Sequence, residues 1–93
     1  MYCMKLEINI RLINVQSLKE KRSLIKNISN LLRKKFNLSV IEISNNDSKK
    51  FCNLLIGVVS TSKDYLLDLI DTLEEFIYIN TGMDVIGETY EIF

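Results

Sequence analysis

Twenty residues, Ser17–Phe36, constrain this chain's fold more than any other stretch. Ser17-Leu18-Lys19-Glu20 fits a capping box. The Ser17 hydroxyl accepts from the Glu20 N–H, and the Glu20 carboxylate is expected to reach back to the Ser17 N–H. Leu24, Ile25, Ile28, Leu31, Leu32 and Phe36 follow at spacings of three and four, which puts them on one helical face with Leu18. Burying that face is worth on the order of 10–20 kcal/mol gross, at ~1.5–3 kcal/mol per large apolar side chain. Ordering entropy cancels most of it. Arg33, Lys34 and Lys35 close the last turn, where they complement the helix dipole. Asn37 is the expected left-handed residue past its end.

The stretches around this helix read as strands and one more helix. Tyr2, Met4, Leu6, Ile8, Ile10 and Leu12 alternate with Cys3, Lys5, Glu7, Asn9 and Arg11, a period of two with one buried face. Asn14-Val15-Gln16 links this strand to the helix. Leu38–Ser44 is rich in β-branched residues and reads as a second strand. Asn45–Lys50 is a turn by composition. Phe51–Ser60 is nearly continuous in apolar residues, as a central strand is. Gly57 within it suggests a bulge or a close backbone approach. Thr61-Ser62-Lys63-Asp64 offers caps for a second helix, with Leu66, Leu69, Ile70, Leu73, Phe76 and Ile77 on its apolar face and Gly82 ending it. Leu67, Tyr78 and Ile79 fall outside that face. Val85–Phe93 reads as a last strand.

The order β-α-β-β-α-β, with right-handed crossovers, gives an α+β fold. It is a ferredoxin-like sandwich in which two helices cover one face of a four-stranded antiparallel sheet, with the first and third strands central. At 93 residues the chain reads as a single domain, 1–93, with one core. The fold hosts many unrelated functions and decides none of them.

Charge is where the halves part. Residues 1–50 carry 11 basic and 4 acidic side chains, and residues 51–93 carry 1 basic and 8 acidic. The net charge of zero is therefore a cancellation of +7 and −7. No apolar run approaches the roughly 18 residues of a membrane span, so no membrane partner is expected. Lys5, Glu7 and Arg11 interrupt the N-terminus too often for a signal peptide. Cys3 and Cys52 have no metal-ligand spacing and read as free thiols on neighbouring strands, in a cytoplasmic protein.

Most catalytic chemistries lack their parts. The chain has no His, which removes His-based triads and His metal sites. Gly57, Gly82 and Gly87 are scattered and form no phosphate loop. Two cysteines fall short of the ligands for an iron–sulfur cluster. No nucleophile–base pair is visible, and no catalytic residue, metal or cofactor is expected. Two charge stripes remain. Lys19, Arg22, Lys26 and Arg33 fall within about 60° of arc on the first helix, a row able to follow phosphates. The bland alternative is a solvated face that offsets the acidic second helix. Asp64, Asp68, Asp71 and Glu75 form a straight stripe on that second helix. A straight stripe does not converge on a metal ion. It reads as a solubility face or as a contact for a basic partner. The polar face of the first strand carries no aromatic residue, and Phe51 is alone on the third, so base stacking on the sheet is not expected.

The whole chain resembles the YlxP-like family of small bacterial proteins of unknown function. The resemblance is carried by Ser17-Leu18-Lys19-Glu20-Lys21-Arg22 after an alternating strand, by Phe36-Asn37-Leu38-Ser39-Val40-Ile41-Glu42-Ile43, by Asp47, and by Leu54–Val59. It implies a ferredoxin-like fold. Family members often lie beside genes for translation initiation and ribosome maturation factors, which implies a translation or RNA setting. Where the family has an apolar or aromatic residue and then Gln after the hairpin Asp, this chain has Ser48-Lys49-Lys50.

The expected function is a non-enzymatic accessory domain touching ribosomal RNA or a ribosomal protein through the basic stripe. The alternative is a protein-interaction or self-association module, built on sheet edges and the opposed stripes. The last strand has neither Pro nor Lys to blunt its edge, and a homodimer is its expected closed form.

Overall fold

The computed structural model describes residues 1–43 and 48–93. Its elements are β1 (Tyr2–Arg11), α1 (Leu18–Lys35), β2 (Ser39–Glu42), β3 (Phe51–Ser60), α2 (Lys63–Thr81) and β4 (Val85–Ile92). The four strands form one antiparallel sheet in the order β2-β3-β1-β4. The two long strands are central, as their patterns require. They pair without a break from Tyr2 against Ser60 to Arg11 against Phe51.

Alternation along β1 and β3 divides the sheet's faces. Met4, Leu6, Ile8 and Ile10 join Cys52, Leu54, Ile56 and Val58 on the buried side. The helices cover that side with Ile25, Ile28 and Leu32 of α1 and Leu66, Leu69, Ile70, Leu73 and Ile77 of α2. Phe36, just past α1, meets Phe76 of α2 edge to face, with ring centroids 5.2 Å apart.

The helix ends follow their local chemistry, with two departures. The Ser17 hydroxyl accepts from the Glu20 N–H at 3.1 Å, but the Glu20 carboxylate accepts from Gln16, at 2.8 Å, and not from Ser17. The left-handed residue lies before α1 and not after it. Asn14 has φ 59° in the β1–α1 link, while Phe36 caps α1 in extended backbone. Asn37 has no positive φ. On α2 the cap is Ser62, whose hydroxyl accepts from the Tyr65 N–H, and Gly82 ends the helix at φ 73° as expected.

The strand boundaries also shift. β1 stops at Arg11, and buried Leu12 donates its N–H to the Lys50 carbonyl. β2 is shorter than the expected Leu38–Ser44, because the Leu38 N–H turns back onto the Phe36 carbonyl. Ser44, Asn45, Asn46 and Asp47 lie outside the described residues, so the expected turn is seen only from Ser48. No bulge occurs at Gly57, where the β1–β3 register is unbroken and a Cβ would meet open space. The irregularity falls on β4. Asn9 pairs with Gly87 and Ile10 with Val85, which leaves Ile86 as the extra residue.

Candidate interaction surface

Helix α1 separates its charges by period. Lys21, Ile25, Ile28 and Leu32 share spacings of four and three and are all buried. Lys19, Arg22, Lys26 and Arg33 lie to one side of that face and are exposed. Half-buried Leu24 and Leu31 lie to the other side. The basic side turns toward the outer edge of the sheet, because the Arg33 guanidinium donates to the Val40 carbonyl of β2 and also to the Asn30 side chain. Arg33 thus has a structural task, while Lys19, Arg22 and Lys26 stand in solvent. Lys34 and Lys35 add exposed charge at the helix C-terminus.

Lys21 is the functional candidate that stripe reasoning missed. It is 3% exposed beneath α1. Its ammonium and the Glu42 carboxylate both act on the Cys52 thiol, in opposite directions. The sequence signal was present, since Lys21 sits four residues before Ile25 and seven before Ile28. Burial pushes the Cys52 thiol up to about 11, Glu42 adds to the rise, and Lys21 opposes it. Cys52 is therefore held as an unreactive thiol. Cys3 is free and exposed on the opposite face of the sheet.

The acidic stripe is solvent-facing. Asp64, Asp68, Asp71 and Glu75 are exposed along the crest of α2, opposite its buried face. The two stripes do not meet within the molecule. One borders β2, and the other crowns the second helix. A carboxyl between the crest and the sheet behaves differently. Burial and a hydrogen bond with Glu88 of β4 push the Glu74 carboxyl up to about 7, and the negative charges of Glu88 and Asp71 push the same way. Among the described residues, no three His, Cys, Asp or Glu side chains gather to hold a metal ion.

The open face of the sheet is mixed. β1 presents Cys3, Lys5, Glu7, Asn9 and Arg11, β3 and β2 contribute exposed Val59 and Ile41, and exposed Phe93 follows β4 beside Cys3. A shallow depression of about 340 Å³ crosses it between Lys5, Glu7, Ile43, Leu55, Thr89 and Glu91. Phe51, the aromatic of β3, is half-buried and lies opposite Arg11 at the end of the strand pair. No helix among the described residues is long and apolar enough to cross a membrane.

Comparison with known proteins adds a family and a fold. A family model described as "Protein of unknown function (DUF503)" matches residues 3–89. No curated protein matches the chain. Among solved structures, the solution structure of SecDF periplasmic domain P4 is similar at a TM-score of 0.51. It shares 11% sequence identity, with 96% of this chain and 87% of that chain covered. At that identity the likeness concerns the fold alone.

Proposed function

The chain belongs to this DUF503 family of unknown function, and we propose that it is a non-enzymatic accessory domain that contacts RNA through the basic side of α1. Its setting, on this reading, is the translation apparatus in the cytoplasm, as the resemblance to YlxP-like proteins implies. The supporting observation is the exposed row Lys19, Arg22 and Lys26, on the flank of α1 that borders β2 and away from the acidic crest of α2. Successive members of the row leave the helix about 4.5–6 Å apart along its axis. Each contacts a phosphate by charge, with no reading of bases, so the binding is sensitive to salt. Arg33 adds to the field of the row while holding Val40. The sheet takes no part, because its central strand offers no aromatic platform.

An electrophoretic shift against ribosomal RNA, repeated across a salt titration, tests this. The reading expects a complex at low salt that weakens steeply as salt rises. It also expects Lys19→Glu with Lys26→Glu to abolish the complex and Asp68→Ala to leave it intact. No shift at low salt removes the reading.

A second reading, self-association as a homodimer, is favoured by one feature. β4 is an eight-residue edge strand with neither Pro nor Lys on it. Sedimentation at low and high salt separates an edge-paired dimer, which persists, from one held by the two stripes, which dissociates.

A further inference from the structure

The two edges of the sheet differ. β2 is four residues long, and the Arg33 guanidinium occupies the carbonyl of Val40. Val40 is one of the β2 residues whose backbone points away from the sheet, because the Ile43 N–H donates inward to the Asn53 carbonyl and the alternation runs back from there. A short strand with a cation on its outward carbonyl is a blunted edge. β4 carries no such cover. Cys3 and Phe93 exchange both backbone hydrogen bonds. By alternation Glu91, Thr89 and Gly87 also face β1. The N–H and C=O groups of Glu88, Tyr90 and Ile92 therefore point outward and form an open edge, which ends at the extra residue Ile86.

The side chains of those three residues lie on the helix side of the sheet, where Ile92, Tyr90 and Glu88 stand beside Met4, Leu6 and Ile8. Ile92 packs against the core, but helix α2 leaves the rest of this flank exposed. Ile86 is 42% and Tyr90 48% exposed, and Tyr78 on the neighbouring flank of α2 is 56% exposed. Glu88 sits between Ile86 and Tyr90 along the edge, hydrogen-bonded to Glu74 of α2, with Asp71 close enough to act on the pair. No Lys or Arg occurs anywhere in residues 64–93. This flank thus combines unpaired strand backbone, apolar side chains and uncompensated negative charge.

We infer that the β4 edge docks an extended, basic segment of a partner protein, which adds a fifth strand with a Lys or Arg facing Glu88 and Glu74 and an apolar residue two positions away facing Tyr90. Backbone hydrogen bonds supply affinity, and the alternate side chains supply specificity. A second copy of this chain fits the same edge less well. Two-fold pairing centred on Glu88 places the two Glu88 side chains directly opposite, where like charges are destabilising. Any two-fold pairing here also adds a second Glu74 and Asp71 to a flank to which residues 64–93 contribute no Lys or Arg. This surface is separate from the basic side of α1, so its fate and that of the RNA reading are independent.

The probe is a seven-residue end-capped peptide, Thr-Val-Thr-Lys-Thr-Val-Thr, titrated into the ¹⁵N-labelled full chain. The inference expects amide shifts concentrated in Val85–Ile92 and the facing flank of α2. It expects at least tenfold weaker binding when the peptide's Lys is replaced by Glu, and the same loss in Glu74→Gln combined with Glu88→Gln. Tyr90→Pro removes one outward N–H without touching the bonds to β1, and should also abolish binding. Equal affinity for the Lys and Glu peptides, shifts located elsewhere, or no shifts at millimolar peptide would overturn the inference. So would a salt-resistant dimer paired through β4 in sedimentation of the free chain.

Discussion

Replacing Glu74 by Gln should stabilise this protein at alkaline pH and leave it unchanged at acid pH. The Glu74 carboxyl is raised from an ordinary 4.5 to about 7 by burial, by its hydrogen bond with Glu88, and by the charges of Glu88 and Asp71. Between those two values the folded chain holds a proton that the unfolded chain releases. The contribution of Glu74 is therefore fully present below pH 4.5, falls as pH rises toward 7, and is lost above it. Taken at face value the span corresponds to about 3 kcal/mol. Glu74 is only part-buried, and solvent screening at such a site reduces this to about 1 kcal/mol. Gln keeps a hydrogen-bond donor for Glu88 and cannot ionise. Urea melts of wild type and Glu74→Gln at pH 4, 6 and 8 give the difference directly, and subtraction removes the titration of every group that does not interact with Glu74. The expected result is equality at pH 4 and a variant more stable by about 1 kcal/mol at pH 8. A difference that is flat with pH, or that favours wild type at pH 8, refutes the reasoning and means that the two carboxyls are not in contact in solution.

Other consequences follow from the core and the caps. Ser17→Ala removes the acceptor of the Glu20 N–H and should cost ~0.5–2 kcal/mol in a urea melt. An unchanged midpoint and slope would remove Ser17 from the cap. Ile28→Ala and Leu73→Ala empty positions that are 1% and 0% exposed, and each should cost ~2–5 kcal/mol. A wild-type melt from either would mean the helical faces are misassigned. A thiol reagent at pH 8 should modify Cys3 quickly and Cys52 only after denaturant is added, since burial holds the Cys52 thiol up at about 11. Two equally fast thiols would contradict the packing of β3 beneath the helices.

The architecture was legible because each element carries its own period. The alternation from Tyr2 to Leu12, the capped apolar stripe of α1 and the Gly82 stop are local signals that match the structure, with the strand itself ending at Arg11. What escaped depends on neighbours that are distant in sequence. Lys21 completes the buried row of α1, but a lysine there reads as part of a basic run until Cys52 and Glu42 are placed beside it. Arg33 looks equivalent to Lys26 on a helical projection. Only the outer edge of β2, a separate element, turns it into a cap for a carbonyl. The same holds for Glu74 and Glu88, which meet only after α2 and the slipped register of β4 are in place. Asn14 and Asn37 were equally open to left-handed backbone by residue type. Phe36 is extended where it packs on Phe76 and Asn37 has no positive φ, whereas Asn14 turns in the separate link before α1.

The salt dependence of RNA binding, measured for wild type and for Lys19→Ala, Arg22→Ala and Lys26→Ala combined, tests the proposed function most directly. A plot of log K against log salt for single-stranded RNA has a slope of about −0.7 per phosphate neutralised. If the three exposed side chains of α1 each hold one phosphate, the triple variant should bind more weakly at every salt concentration, with a slope shallower by about 2. A slope identical to wild type, or no binding by wild type at low salt, would contradict the assignment of this helix face to RNA.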